Sequence, residues 1–308
     1  MKGMRPVIAV VALVAAVAAS SIRLDAWGFP AHRHIIDRMI GLLPAELRPL
    51  YQARRAFLVE RVVDPDLWRN VGWADEPPNH FIDLDFDAYG TYPFEALPRE
   101  YDQAVQKFGK ALVHEQGLLP WRTAEFYGRL QRAFEALKRP APSPYTLDDI
   151  VLFSAVLVHY VSDGHVPLHA NKNYDGQLTG QPGAHARFES ELFERFQGEL
   201  SIAPTAQPPV TDPRGEMFRI LLASFKDAGP VLAADKAAAA GREYYDDGFF
   251  AAFKRDAFPV VDRRVADAIG ASAAFITGAW QQAGRPVVPL EITRPPRRVP
   301  RPATPPGR

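Results

Sequence analysis

Apolar residues recur at helical spacing along nearly the whole of residues 27–283. In HRHIIDRMIGLLP, Ile35, Met39 and Leu42 or Leu43 share one helical face and Pro44 ends the run, and AELRPLYQARRAFLVERVV repeats the pattern. The period continues through LPREYDQAVQKFGKALVHEQG, WRTAEFYGRLQRAFEALKR and TLDDIVLFSAVLVHYVSDG, the last opened by a Thr146-x-x-Asp149 capping signal. GAHARFESELFERFQGEL, RGEMFRILLASFKDAG and a stretch from Asp256 to Gln282 complete the set. No convincing set of alternating strands and no fixed-period repeat interrupts it. The pattern predicts an all-α fold, a single multi-helix domain over 27–283 with long loops containing proline and glycine.

The two ends break this pattern. Lys2 and Arg5 precede the apolar run VIAVVALVAAVAA, and Ala26 supplies a small residue just before Trp27. This is the layout of a signal peptide over 1–26, and the run is short of the ~20 apolar residues that cross a bilayer. The expected location is therefore secreted or periplasmic. Residues 284–308 are rich in proline and arginine, a composition that neither packs as a helix nor enters a sheet, and a disordered tail is expected there.

Charge and cysteine content narrow the chemistry. The full chain is balanced, but loss of Lys2, Arg5, Arg23 and Asp25 with the signal leaves −2. The last segment carries six arginines against Glu291, so the body over 27–283 stands at −7. A mildly acidic body suits cation binding without naming a substrate. With no cysteine in the chain, disulfides and thiolate metal sites are excluded, and any metal falls to His, Asp, Glu or backbone groups.

The segment LVHYVSDGHVPLHANKNYDGQ, 157–177, concentrates such groups. His159 and Asp163 are four apart, so a helix presents both from one face; the helix must end before Pro167, and His169 follows the turn. Downstream, His185 and Glu189 form a second pair at the same spacing. A single such pair is commonly a surface hydrogen bond. Two pairs within about thirty residues, with His169 between them, suit zinc, which accepts imidazole and carboxylate together.

H-x-x-x-D-x-x-x-P-L-H followed by H-x-x-x-E resembles the core signature of the superfamily that unites bacterial zinc-dependent phospholipases C with the single-strand-specific zinc nucleases of fungi and plants. WGFPAH, with Trp27 and His32, matches the W-G-x-x-x-H that opens the nuclease branch; DPDLWR supplies Asp66 and Arg69, with Asp64 as a rival in an offset register. HFID supplies His80, Phe81, Ile82 and Asp83. The resemblance covers 27 to about 195; beyond that only the helical character agrees. It implies long loops around a trinuclear zinc cleft. Asp66, His80, His159 and Asp163 would hold one zinc; Trp27, through its terminal amine and carbonyl, His32 and Asp163 a second; His169, His185 and Glu189 a third. It also implies that Arg69 contacts phosphate, that Asp83 orients the attacking water and that Phe81 stacks a base. Independently of the family, two cations bridged by a carboxylate can share a hydroxide that attacks phosphorus in line. His34, His114 and His165 are left over, and His165, inside the motif, is a candidate to orient a ligand.

Departures from the nuclease pattern leave the substrate open. Glu189 stands where the nucleases carry Asp and the interval from His169 to His185 is short, both as in the phospholipases, and there are no cysteines to form the nuclease disulfides; the Trp27 to His32 spacing and HFID point the other way. The expected activity is a zinc-dependent phosphodiesterase with three zinc ions, acting as a nuclease or 3′-nucleotidase on single-stranded nucleic acid, with phospholipid head groups as the alternative. A non-enzymatic, secreted metal-binding protein is the reading from another class. No protein partner is expected, and the chain reads as a monomer.

Overall fold

The computed structural model describes residues 28–293; residues 1–27 and 294–308, which include the expected signal peptide, Trp27 and most of the expected tail, lie outside the described residues. Twelve α-helices and several short 3₁₀ and π turns form the described chain, and it contains no strand, so the all-α single domain is as expected. In order, these are α1 (Phe29–Met39), α2 (Arg48–Ala53), α3 (Arg55–Arg61), α4 (Asp64–Asn70), α5 (Tyr101–Phe108), α6 (Lys110–Glu115), α7 (Leu119–Ala136), α8 (Thr146–Gly164), α9 (Ala184–Ala186), α10 (Phe193–Phe196), α11 (Pro213–Ala239) and α12 (Asp247–Gln282).

The centre of the fold is α8. Its sequence is apolar on all sides, and every residue from Ser154 to Gly164 is buried. A helix of that kind needs neighbours around its whole circumference. They are α7, α3, α12, α1 and α11. α7 runs antiparallel to it, so that Arg122 at the start of α7 meets Tyr160 near the end of α8. α11 and α12 form a second antiparallel pair, joined by Arg263 to Asp227 and by buried Arg264, which donates to Ile220 O and to His165 O at the end of α8. No described helix is long and apolar enough to cross a membrane.

Three local expectations change. Thr146 does not cap α8: it is buried as the first helical residue, and Asp148 and Asp149 instead place negative charge at the positive end of the helix dipole. The pattern ends α11 at Gly229, yet it runs through Pro230 to Ala239, and α12 begins nine residues before Asp256, with Pro259 inside it as the expected stretch from Asp256 to Gln282 implies. Proline in a helix costs a hydrogen bond, and here burial continues past it, through Val231, Leu232 and Ala238 in α11 and Val261 and Val265 in α12. The described part of the expected tail, 284–293, is non-helical but lies on the body: Trp280 Nε1 donates to Pro286 O, and Val288 and Ile292 pack against the core.

Candidate metal centre

Three groups of buried side chains in the described chain could each hold a metal ion: His32, His159 and Asp163; Asp66, His80 and His159; and His169, His185 and Glu189. Each arrives by a different local route. On α1, His32 shares the inward face with Ala31, Ile35, Ile36 and Met39, the i, i+3, i+4 pattern of a buried helix face. α4 places Asp66 inward, whereas Asp64 pairs with Arg61 at 2.7 Å; of the two aspartates it is Asp66 that joins the group. α8 presents His159 and Asp163 one turn apart. His80 ends a 3₁₀ turn, Pro77–His80, and His169 lies in another, Pro167–Ala170. His185 belongs to α9, and Glu189 to the π turn Arg187–Leu192, a wide turn that is frequent at functional sites.

The distances describe a site in which Asp163 is shared. Its Oδ1 lies 3.3 Å from His32 Nε2, and its Oδ2 lies 3.0 Å from His80 Nδ1 and 3.3 Å from His159 Nε2. Asp66 Oδ1 is 3.7 Å from His80 Nδ1 and 3.9 Å from His159 Nε2. The rings of His32 and His159 stack, with centroids 4.1 Å apart. In the third group His185 Nε2 is 2.9 Å from Glu189 Oε2 and 3.0 Å from His169 Nε2. Ligands on a tetrahedral zinc with bonds of about 2.0 Å are spaced ~3.3 Å apart, so these intervals match a common cation.

Hydrogen-bond accounting supports the same conclusion. His159 Nδ1 donates to Val62 O at 2.9 Å, His169 Nδ1 to His80 O at 2.6 Å and His185 Nδ1 to Tyr174 O at 3.0 Å. A carbonyl only accepts, so in each neutral ring Nδ1 carries the proton and Nε2 presents a lone pair. The two lone pairs of His169 and His185 then face each other across 3.0 Å, which is repulsive unless a cation or a proton lies between them. Both oxygens of Asp66, both of Glu189, Asp163 Oδ1 and both ring nitrogens of His32 are buried without a hydrogen-bond partner. Buried polar atoms are normally satisfied, and this concentration of unsatisfied polar atoms, most of them carboxylate acceptors, fits a cation.

The titration of the metal-free groups reflects the same crowding. Burial drives the Asp66 carboxyl up to about 7 and His159 down to about 3. His80 moves to about 9, because the neighbouring Asp163, Glu76 and Asp66 carboxylates outweigh its burial. Burial alone would raise Asp163, but His159, His32 and His80 hold it well below the usual carboxylate range.

Of the remaining candidates, Arg69 touches one of the groups, and Phe81 and Asp83 follow His80 in the chain. Arg69 lies 3.5 Å from Asp66 Oδ1 with its side chain 17% exposed. Phe81 is half-buried directly after His80. Asp83 is half-buried too, its Oδ1 lacks a partner, and burial together with the neighbouring Asp85 charge pushes its carboxyl up to about 7. The HFID segment is held as an extended bridge. Ile82 N donates to His169 O at 2.9 Å and Asp83 N to Gln116 O at 2.8 Å. Gly117, at φ +101°, lets the chain pass so close to Phe81 that a Cβ would lie 2.2 Å from its carbonyl oxygen.

His165 Nδ1 bonds Val161 O, one turn back in α8, and the residue joins none of the three groups. Sequence reading missed the groups that do brace the site. Glu76 faces His80 Nε2 at 3.5 Å and is held by Tyr160, Arg122 and Asn79. Asp175 accepts from Gly183 N and His185 N, and Arg187 makes a buried double hydrogen bond to Asp235 at 2.7 and 2.9 Å. The one available signal was Glu76 four residues before His80, hidden because Pro77 and Pro78 do not read as a helix.

No family model matches the chain, and no curated protein matches it.

Proposed function

We propose that the protein is a zinc-dependent phosphodiesterase, a nuclease or 3′-nucleotidase acting on single-stranded nucleic acid. The observation that carries the reading is the shared carboxylate: Asp163 turns one oxygen toward His32 and the other toward His80 and His159, which suits two neighbouring cations. Asp66, His80, His159 and Asp163 would hold one zinc, His32 and Asp163 with Trp27 a second, and His169, His185 and Glu189 a third. Bound there, zinc would polarise the phosphoryl group and lower the pKa of water.

The chain's own residues supply the rest. Arg69, positioned by Asp66 and reaching the surface, binds a phosphate oxygen through paired N–H donors. Asp83 keeps its proton to near neutral pH, and once ionised it accepts a hydrogen bond from water through the partnerless Oδ1. Phe81 offers a ring face for a base. Export before maturation completes the reading, with the amine of Trp27 freed by signal cleavage.

The phospholipase C alternative has its own support: Leu67, Val71 and Trp73 are 41, 74 and 57% exposed on and just after α4, the helix that carries Asp66 and Arg69. An apolar rim beside the site suits a lipid surface. A parallel assay separates the readings. The chain starting at Trp27 is tested on single-stranded DNA, on a 3′-nucleotide and on phosphatidylcholine, before and after a chelator and after zinc is restored. Cleavage of nucleic acid that vanishes and returns with zinc is expected. Turnover of phosphatidylcholine alone selects the phospholipase reading, and bound zinc without turnover of any substrate overturns both.

A further inference from the structure

His80 differs from the other histidines of the centre. His159, His169 and His185 each spend Nδ1 on a main-chain carbonyl and offer Nε2 to the cluster; His80 offers Nδ1, 3.0 Å from Asp163, while its buried Nε2, otherwise without a partner, faces the Glu76 carboxylate at 3.5 Å, just beyond a full hydrogen bond. Glu76 is 3% exposed, an expensive place for a charge. It is met from three sides: the Tyr160 hydroxyl donates to Oε1, and Arg122 Nη2 and Asn79 Nδ2 donate to Oε2 at 3.3 Å. Tyr160 adjoins His159 on α8, so the helix that supplies two candidate ligands also holds the carboxylate behind a third. Arg122 and Glu76 form part of the wall of a cleft of about 920 Å³ that also includes Trp73 and Trp121, so this bracing is reachable from solvent.

We infer that Glu76 is a positioning residue for the metal centre: its carboxylate keeps the proton of His80 on Nε2, directs Nδ1 to the cation and raises the ring's strength as a ligand, with Tyr160 and Arg122 fixing the carboxylate. The inference rests on the zinc reading above. Its scale follows from metal sites in general, where loss of such a carboxylate costs about 10–100-fold in metal affinity.

The test measures zinc affinity by competition with a chromophoric chelator, and ring-nitrogen chemical shifts of ¹⁵N-histidine protein, for the wild type, Glu76→Gln, Glu76→Asp and Tyr160→Phe. Glu76→Gln is expected to weaken the zinc at His80 by about 10–100-fold, Tyr160→Phe by less, and Glu76→Asp to recover part of the loss. The His169 and His185 signals should report a third zinc still bound in every variant. In the wild type, His80 should show a protonated Nε2, opposite to His159, His169 and His185, and in Glu76→Gln its two tautomers should mix. Wild-type zinc affinity and tautomer in Glu76→Gln would overturn the inference. So would loss of all zinc together with a fall in the melting temperature of the stripped protein, which would make Glu76 a folding residue only. A wild type that binds no zinc would instead overturn the metal reading itself.

Discussion

The His32–Asp163 side of the centre and the His169–Glu189 side solve the same problem with opposite materials. The first draws His32, Asp66, His159 and Asp163 from buried positions on α1, α4 and α8, with only His80 on a 3₁₀ turn, so most of its candidate ligands inherit their positions from helix packing. The second is assembled from a 3₁₀ turn, the three-residue α9 and a π turn, none of which is long enough to be stable by itself. It needs tethers: Asp175 on the amides of Gly183 and His185, and the buried Arg187–Asp235 pair that fastens the π turn to α11. Rigidity comes from burial in one place and from buried polar bonds in the other, so the two sides should fail differently.

The largest expected effect is on the helical side. Asp163→Asn should lose more than one zinc by metal analysis, with phosphodiesterase activity down more than about 100-fold, whereas Glu189→Gln should lose one. Equal losses would mean that Asp163 is not shared. On the tethered side, Asp235→Ala strands the buried Arg187 and should cost about 3–5 kcal/mol in denaturant unfolding of the stripped protein. In the same variant the zinc at His185 should leave first during chelator titration; simultaneous release from both sides would erase the distinction between them.

Asp83, three residues after His80, gives a pH test. In the folded chain its carboxyl holds a proton to about 7, while the unfolded chain releases it near the ordinary value of 3.8. Stability is therefore lost as pH rises through that window, at about 1.4 kcal/mol per pH unit. Asp83→Asn should leave the melting temperature of the stripped protein unchanged at pH 3.5, raise it at pH 8 and lower the turnover of the loaded enzyme. A variant no more stable than wild type at pH 8 would show that Asp83 is not strained by burial. The smallest effect is at Phe81. Phe81→Ala should raise KM for oligonucleotides by the equivalent of ~1–3 kcal/mol and spare a small aryl phosphodiester; equal losses on both would indicate packing.

Much of this architecture was legible in the chain because it repeats at the helical period. His159 and Asp163, and His185 and Glu189, declared themselves by four-residue spacing, although the second pair closes through a π turn that spacing alone does not reveal. Asp66 over Asp64 was not legible, since only the inward face of α4 decides between them. Glu76, Asp175 and Asp235 escaped for a related reason: each acts across a long sequence interval or from an irregular turn, where local periodicity carries no information. The run of α11 past Pro230 escaped because long-range burial there outweighs a local preference, whereas Pro259 already lay inside the stretch read as helical from Asp256.

The bond from His169 Nδ1 to His80 O, with Ile82 N returning to His169 O, joins the two sides through main chain. A ligand of one group thus rests on the backbone of a ligand of the other, and neither can shift alone. Occupancy should then be cooperative, and reciprocity fixes its form: whatever factor a first ion at His169 adds to affinity at His80, an ion at His80 must return to His169.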